Sequence, residues 1–311
     1  MTVKTTNIQG SDREQFSVLL DGLVKTIDPE KVICYGYRTN EYDAWSVFRA
    51  NTETMVCTSL DILVITKAGV QVAPEDIGKC LDKQPPNLEV VYVVHSANEV
   101  SNGLKQGNRF FTQVCSQGMV VYESPTPCVM TVPTKNADFD AILRKMKEQW
   151  EKWFGMAKIS LAEGLTRMDH EDSHGGIVLL QRAAEYTCMA LISVTMGYTP
   201  VMRDLRNLLD LVRNISLQAD TIFPEVTKTE IELLDRLQKA RDFEKNPEQD
   251  NVMGSVLADR VTELMAVALE INDAWVSDVK LRVKRKTKRD EERDLERRGE
   301  PVPYVIKRKR S

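Results

Sequence analysis

The chain has 311 residues, of which 42% are hydrophobic, and a formal net charge of −4. It is long enough for two ordinary domains and apolar enough for real cores, which excludes a disordered chain. The opening MTVKTTNIQGSDRE lacks the apolar stretch of a signal peptide, and no unbroken apolar run approaches the roughly 20 residues of a bilayer span, so a soluble, cytoplasmic protein without membrane contact is expected.

In chain order, Asp12 to Ile27 places Phe16, Leu19, Leu20, Leu23 and Val24 at helical spacing, with Ser11 and Glu14 as a capping box. Lys31 to Tyr37 (KVICYGY) predicts a short buried strand ending near Gly36. The polar stretch with Trp45 and Phe48 predicts a helix or irregular chain. Thr58 to Thr66 (TSLDILVIT) predicts a strand that carries one acid, Asp61. Pro74 to Leu81 predicts a helix, and Leu88 to His95 (LEVVYVVH) a strand with one acid, Glu89. Helices are expected at Ala97 to Gln106 and Phe110 to Ser116, then a last strand over Gly118 to Tyr122. Strands alternating with helices indicate an α/β layer over residues 1–123.

Residues 124–137 hold three prolines and read as a linker. From Asp138 the period becomes helical, and residues 138–278 predict an all-α bundle of five helices. The first carries Phe139, Ile142, Leu143, Met146, Trp150, Trp153, Phe154, Ala157 and Leu161, with the tryptophans as packing anchors. Gly164 to Gly175 is expected as a polar loop. The helix that follows, from Gly176, is apolar almost all round and so belongs inside the bundle. It stops at Gly197, ahead of the turn Tyr198-Thr199-Pro200. Further helices are expected at Leu205 to Ile215, Lys228 to Phe243 and Val252 to Trp275. The whole chain therefore predicts an α+β fold, a mixed sheet with flanking helices followed by a helical bundle.

Cys34, Cys57, Cys80, Cys115, Cys128 and Cys188 form no C-x-x-C pair, so reduced, buried thiols are expected rather than a zinc or redox motif. Charge is unevenly spread. From Val279 to Ser311 there are 14 Lys and Arg against 6 Asp and Glu, a net of +8, which leaves −12 for the rest. The clusters Lys284 to Arg289 and Lys307 to Arg310 make residues 279–311 a basic tail, either solvated or in contact with nucleic acid phosphates.

Charged groups are rare in core strands unless paired or metal-bound, so the acids on two apolar strands need an explanation. The succession Gly36, Asp61, Glu89 resembles the minimal nucleotidyltransferase domain, and Phe110-Phe111 to Gly118 and Tyr122 resemble its end in one branch of that family. The resemblance covers about Lys31 to Glu123. It implies a mixed sheet on which a Gly-Ser strand end, an Asp-x-Asp strand and a third acid hold two Mg²⁺ ions and a nucleoside triphosphate. Here the serine after the glycine is Tyr37, and the first Asp of the pair is Ser59. The resemblance thus implies a degenerate nucleotide site at Gly36, Tyr37, Ser59, Asp61 and Glu89, with Asp61 and Glu89 as the metal ligands left. A gap lined by Ser59 and Tyr37 is expected, and Glu41, Asp43 and Glu53 are candidates for a third acid.

In the second half, Leu179-Leu180-Gln181-Arg182-Ala183-Ala184-Glu185, Gly197-Tyr198-Thr199-Pro200, Asp204-Leu205 with Leu208-Leu209, and Ala240-Arg241-Asp242-Phe243 resemble the HEPN domain. Active members of that family cleave RNA with an arginine and a histidine separated by four to six residues, late in the bundle. The only histidines here are His95, His170 and His174. Arg167 and His174 have the spacing but flank the expected polar loop, so the pair is read as coincidence. Arg203, Arg206 and Arg241 remain as phosphate-contact candidates. Together the resemblances imply a non-catalytic fused protein that binds a nucleotide or RNA, in a toxin–antitoxin or defence-type setting, as a homodimer through its bundle. An active nucleotidyltransferase acting on a protein or small molecule, and a dimeric scaffold, are the alternatives.

Overall fold

The computed structural model describes residues 10–38, 42–46, 53–55, 59–70, 72, 74–81, 88–126, 128, 130–132, 139–200, 204–225, 227–242 and 247–298. Phe48, Cys57, Arg203 and the cluster Lys307 to Arg310 lie outside them, as do the side chains of the Ser11 and Glu14 cap. The fold is α+β. Helix α1 (Gly10–Ile27) leads into β1 (Lys31–Arg38), β2 (Tyr42–Ser46), β3 (Glu53–Met55) and β4 (Ser59–Thr66). Then come α2 (Pro74–Leu81), β5 (Glu89–Ser96), α3 (Ala97–Lys105), α4 (Arg109–Gln117) and β6 (Met119–Glu123).

The sheet runs β3-β2-β1-β4-β5. Only β4 and β5 are parallel; β1 is antiparallel to β4, β2 and β6, which makes the sheet mixed. The free edge of β1 is shared, its first half by β6 and its second half by β2. All eight residues of β4 are buried. A continuous apolar run suits a strand covered on both faces. Leu60, Ile62 and Val64 pack with Phe16, Leu19, Leu20 and Leu23 of α1 and Ile77 of α2. Leu63 and Ile65 point the other way, into a core that they share with α3, α4 and the helical half. One stretch departs from expectation, since the segment with Trp45 holds two short antiparallel strands, β2 and β3.

The helical half comprises α5 (Phe139–Asp169), α6 (Ser173–Thr195), α7 (Leu205–Arg213), the short α8 (Leu217–Asp220), α9 (Lys228–Gln238) and α10 (Pro247–Arg298). Two helices outrun the expected bounds. α5 continues through Gly164, where a Cβ would sit 3.2 Å from both the Gly176 carbonyl oxygen and Leu179 Cβ. Glycine there keeps α5 and α6 close, so the expected loop shrinks to three residues. α10 runs on through the first basic cluster, as no glycine or proline occurs between Gly254 and Gly299.

α6 is the centre of the bundle, with 16 buried residues. By length and composition it would suffice to cross a membrane, yet 72% of its most apolar window is buried inside the protein. Gly197, at φ +66°, turns the chain out of it. Trp150 stacks on Phe154 with centroids 4.2 Å apart, and Trp153 is buried.

The two halves meet along the ends of β5, α4 and α6. Arg109 of α4 donates to the Val194 carbonyl at 3.1 Å and to that of Thr195, which caps the C-terminal end of α6. Tyr198 stacks on Phe110 with centroids 4.5 Å apart. The described part of the expected linker is also tied down: Ser124 N donates to the Glu30 carbonyl at 2.9 Å, and Met130 and Val132 pack on the shared core.

Candidate functional site

The expected nucleotide site falls where the sheet meets the bundle. β1 and β4 slip register between Cys34 and Gly36, so Tyr35 is an extra residue and Gly36 pairs with Asp61. A bulge of this kind re-aims the side chains beyond it. Ile33 and Tyr35 both enter the core shared with the bundle. Tyr37 pairs with Leu60 and packs with the α1 and α2 core on the opposite face. The expected gap between Ser59 and Tyr37 is therefore not formed, because the bulge sends Tyr37 to the other side of the sheet.

Ser59 and Asp61 are fully buried on β4. Glu89 lies beside Ser59 in the parallel β4–β5 register, while Asp61 lies beside Val91, two residues further along. Glu89 is half exposed and faces Arg213 of α7, Nη1 to Oε1 at 3.7 Å. Arg213 also holds Asp210 at 2.9 Å and Glu225 at 3.4 Å. The last residue of this corner is Asn214, the C-cap of α7, which is 1% exposed. Its side chain lies against Gly36. A Cβ on Gly36 would fall well inside contact distance of Asn214 Oδ1, 2.7 Å from Asp61 Oδ2 and 3.3 Å from Asp61 Cβ. The bundle thus places an amide where the glycine leaves room beside the carboxylate. Neither Asn214 Nδ2 nor the Ser59 hydroxyl has a hydrogen-bond partner among the described residues.

The field of Asp61 reaches through the sheet. The Cys34 thiol is pushed up to about 12, first by burial, then by the Asp61 charge, and its Sγ donates to the Gly36 carbonyl at 3.2 Å. Such a thiol is inert at neutral pH. Burial likewise raises the Cys188 thiol.

A clamp for two divalent cations needs several carboxylate oxygens converging on one point. Asp61 brings one carboxylate to this corner, and Glu89 is engaged by Arg213. The side chains of Glu41, Asp43 and Glu53 lie outside the described residues. Among the described residues no three His, Cys, Asp or Glu side chains gather closely enough to hold a metal ion. The described acids alone do not make up the donor set of a two-cation centre.

Of the bundle's phosphate-contact candidates, Arg206 pairs with Glu225 and Asp235, each at 3.1 Å. Arg241 is exposed and lies near Glu185, whose carboxyl is raised by burial and lowered by Arg182 and Arg241. Arg206 adjoins the corner, because it shares Glu225 with the Arg213 that faces Glu89. Arg167 and His174 take different partners. Arg167 binds Asp172 at 2.9 Å, whereas His174 Nδ1 meets Arg236 Nη2 at 3.2 Å. Arg213 and Asn214 were not legible as site residues, since nothing in the sequence sets the end of one short helix apart.

Among solved structures the chain is similar to a nucleotidyltransferase-like protein from Exiguobacterium sibiricum, at 11% identity over 87% of this chain and 79% of that one, with a TM-score of 0.29. No family model matches the chain, and no curated protein matches it.

Proposed function

We propose that this is a non-catalytic nucleotidyltransferase-like and HEPN-like protein that acts by binding a nucleotide or RNA, within a toxin–antitoxin or defence-type system. One contact carries the proposal. The end of α7 puts Asn214 beside Gly36 and Asp61 and sets Arg213 on Glu89. In the site that the resemblance implies, a triphosphate and its metals would need the same space, so this contact supports the non-catalytic part of the reading, and the binding of nucleotide or RNA rests on the resemblance. The substitution of Ser59 for the first acid of the motif works in the same direction, because a neutral hydroxyl is a poor substitute for a bridging carboxylate.

The test uses the purified full-length chain with α-labelled nucleoside triphosphates and Mg²⁺. The expected result is no labelled product above the level of Asp61→Ala. Transfer of label that is lost in Asp61→Ala would overturn the proposal in favour of an active nucleotidyltransferase. Binding of unlabelled nucleotide and of RNA, measured by calorimetry, would then separate a binding protein from a dimeric scaffold that binds neither.

A further inference from the structure

α10 leaves the bundle at Val279, which is buried against Met146 and Val194. Beyond that point Lys280, Leu281, Arg282, Lys284, Arg285 and Thr287 are exposed. The helix nevertheless continues to Arg298. Its free part begins with seven Lys or Arg and no acid between Lys280 and Arg289, and Asp290, Glu291 and Glu292 then end the basic stretch. At about 100° per residue, Lys280, Arg282, Lys284, Arg285, Lys286, Lys288 and Arg289 spread over roughly two thirds of the helix circumference. A helix that rests on a flat acidic surface needs cations on one side only. Cations on both flanks suit a helix set between two walls of negative charge.

We propose that the Lys280–Arg289 stretch of α10 is a duplex-DNA-binding arm that lies in the major groove between the two phosphate chains. With side chains an α-helix is about 10–12 Å across, and the B-form major groove is about 12 Å wide. Ten helical residues span about 15 Å, over which the duplex carries about nine phosphate charges. The deep, narrow major groove of A-form RNA does not admit a helix. No aromatic residue occurs between Lys280 and Arg298, so the stacking that holds single strands is missing. Arg282 is tied to Asp278 at 2.7 Å, and it lies close enough to Arg109 to help lower that guanidinium, held at about 10 chiefly by burial. Residues 1–278, at −12, repel the duplex and so favour contact through the arm. The inference rests on α10 and is independent of the Asp61 corner.

The test is binding of the full chain to an about 20-base-pair DNA duplex, an RNA duplex of the same sequence, and the single strands, at several salt concentrations. Arg282 aside, the stretch holds six Lys and Arg, and neutralising five or six phosphates gives a slope of log K against log salt of about −5. Between 50 and 200 mM salt this is a loss of about a thousandfold. The triple variant Lys280→Gln, Lys284→Gln, Arg285→Gln is expected to flatten the slope by about 2.7, reducing that loss to about twentyfold. Its melting temperature should match the parent, because all three side chains are exposed. Failure to bind the DNA duplex, a salt slope unmoved in the triple variant, or equal affinity for the RNA duplex would each overturn the proposal. Since none of these side chains touches Gly36, Asp61 or Asn214, such a failure would leave the nucleotide-transfer test unaffected.

Discussion

The Tyr198 hydroxyl meets His95 Nε2 at 2.9 Å, and this hydrogen bond crosses from the bundle to the sheet. Both residues are buried, and His95 packs edge-on against Phe111 and Tyr198. Removing one partner leaves the other buried and unsatisfied, which costs about 1–3 kcal/mol. Tyr198→Phe keeps the ring stacked on Phe110 and deletes only the hydroxyl. It is therefore expected to lower the melting temperature by several degrees, read by calorimetry. An unchanged melting temperature would mean that the junction is held by packing alone.

The same histidine gives the protein a pH dependence. Burial holds the His95 imidazole below its usual range, while Glu99, 3.5 Å from Nδ1, works the other way. The folded state then binds fewer protons than the unfolded state as pH falls through the ordinary histidine value of 6.5. The stability contributed by neutral His95 is fully present above that pH and declines as pH falls through 6.5 toward the lowered folded value. Melting temperature should decrease from pH 7 to pH 5, and His95→Gln should flatten the decrease. Parallel profiles for parent and variant would assign the acid sensitivity to other groups.

Gly36 and Asn214 form a pair that can be tested by a double-mutant cycle. In Gly36→Ala the new methyl meets Asn214 and Asp61, and overpacking of this kind costs about 1–3 kcal/mol. Asn214→Ala removes one of the two obstacles. The double variant is expected to be more stable than the sum of the single changes predicts, by about 0.5–3 kcal/mol, since the residues are in contact. Strict additivity in chemical denaturation would place Asn214 elsewhere in solution.

What could be read from the chain follows from how local each signal is. The continuous apolar run of β4 and the all-round apolar face of α6 stand alone as sequence patterns, and both elements lie where they were expected. β2 and β3, at five and three residues, are too short to show a strand period. α10 was cut short because its apolar stripe ends at Trp275, whereas the stretch beyond it, rich in the helix formers Lys, Arg and Glu and free of glycine and proline to Arg298, continues the helix without an apolar face. At the candidate site, Gly36, Ser59 and Asp61 share one face of the sheet, but the bulge at Tyr35 that turns Tyr37 away has no sequence marker. Asn214 was out of reach for a different reason. Its contact joins segments far apart in sequence and depends on how the bundle settles on the sheet.

Arg236 and Asp250 form the most deeply buried ion pair among the described residues, with side chains 6% and 2% exposed. Arg236 Nη2 donates to Asp250 Oδ1 and also faces His174 Nδ1 at 3.2 Å, joining α9 and the first turn of α10 to the start of α6. Two charges out of water gain little net stability from one another, but one left without the other is expensive. Asp250→Asn is therefore expected to cost about 3–5 kcal/mol, because the arginine keeps its charge in a site that water hardly reaches. Replacing both, Arg236→Met with Asp250→Leu, should recover most of that loss, since neither charge then remains buried. The comparison is made by urea denaturation of the parent, the single variant and the double variant. A double variant no more stable than Asp250→Asn would show that the pair fixes the geometry of the three helices rather than merely cancelling its own charges.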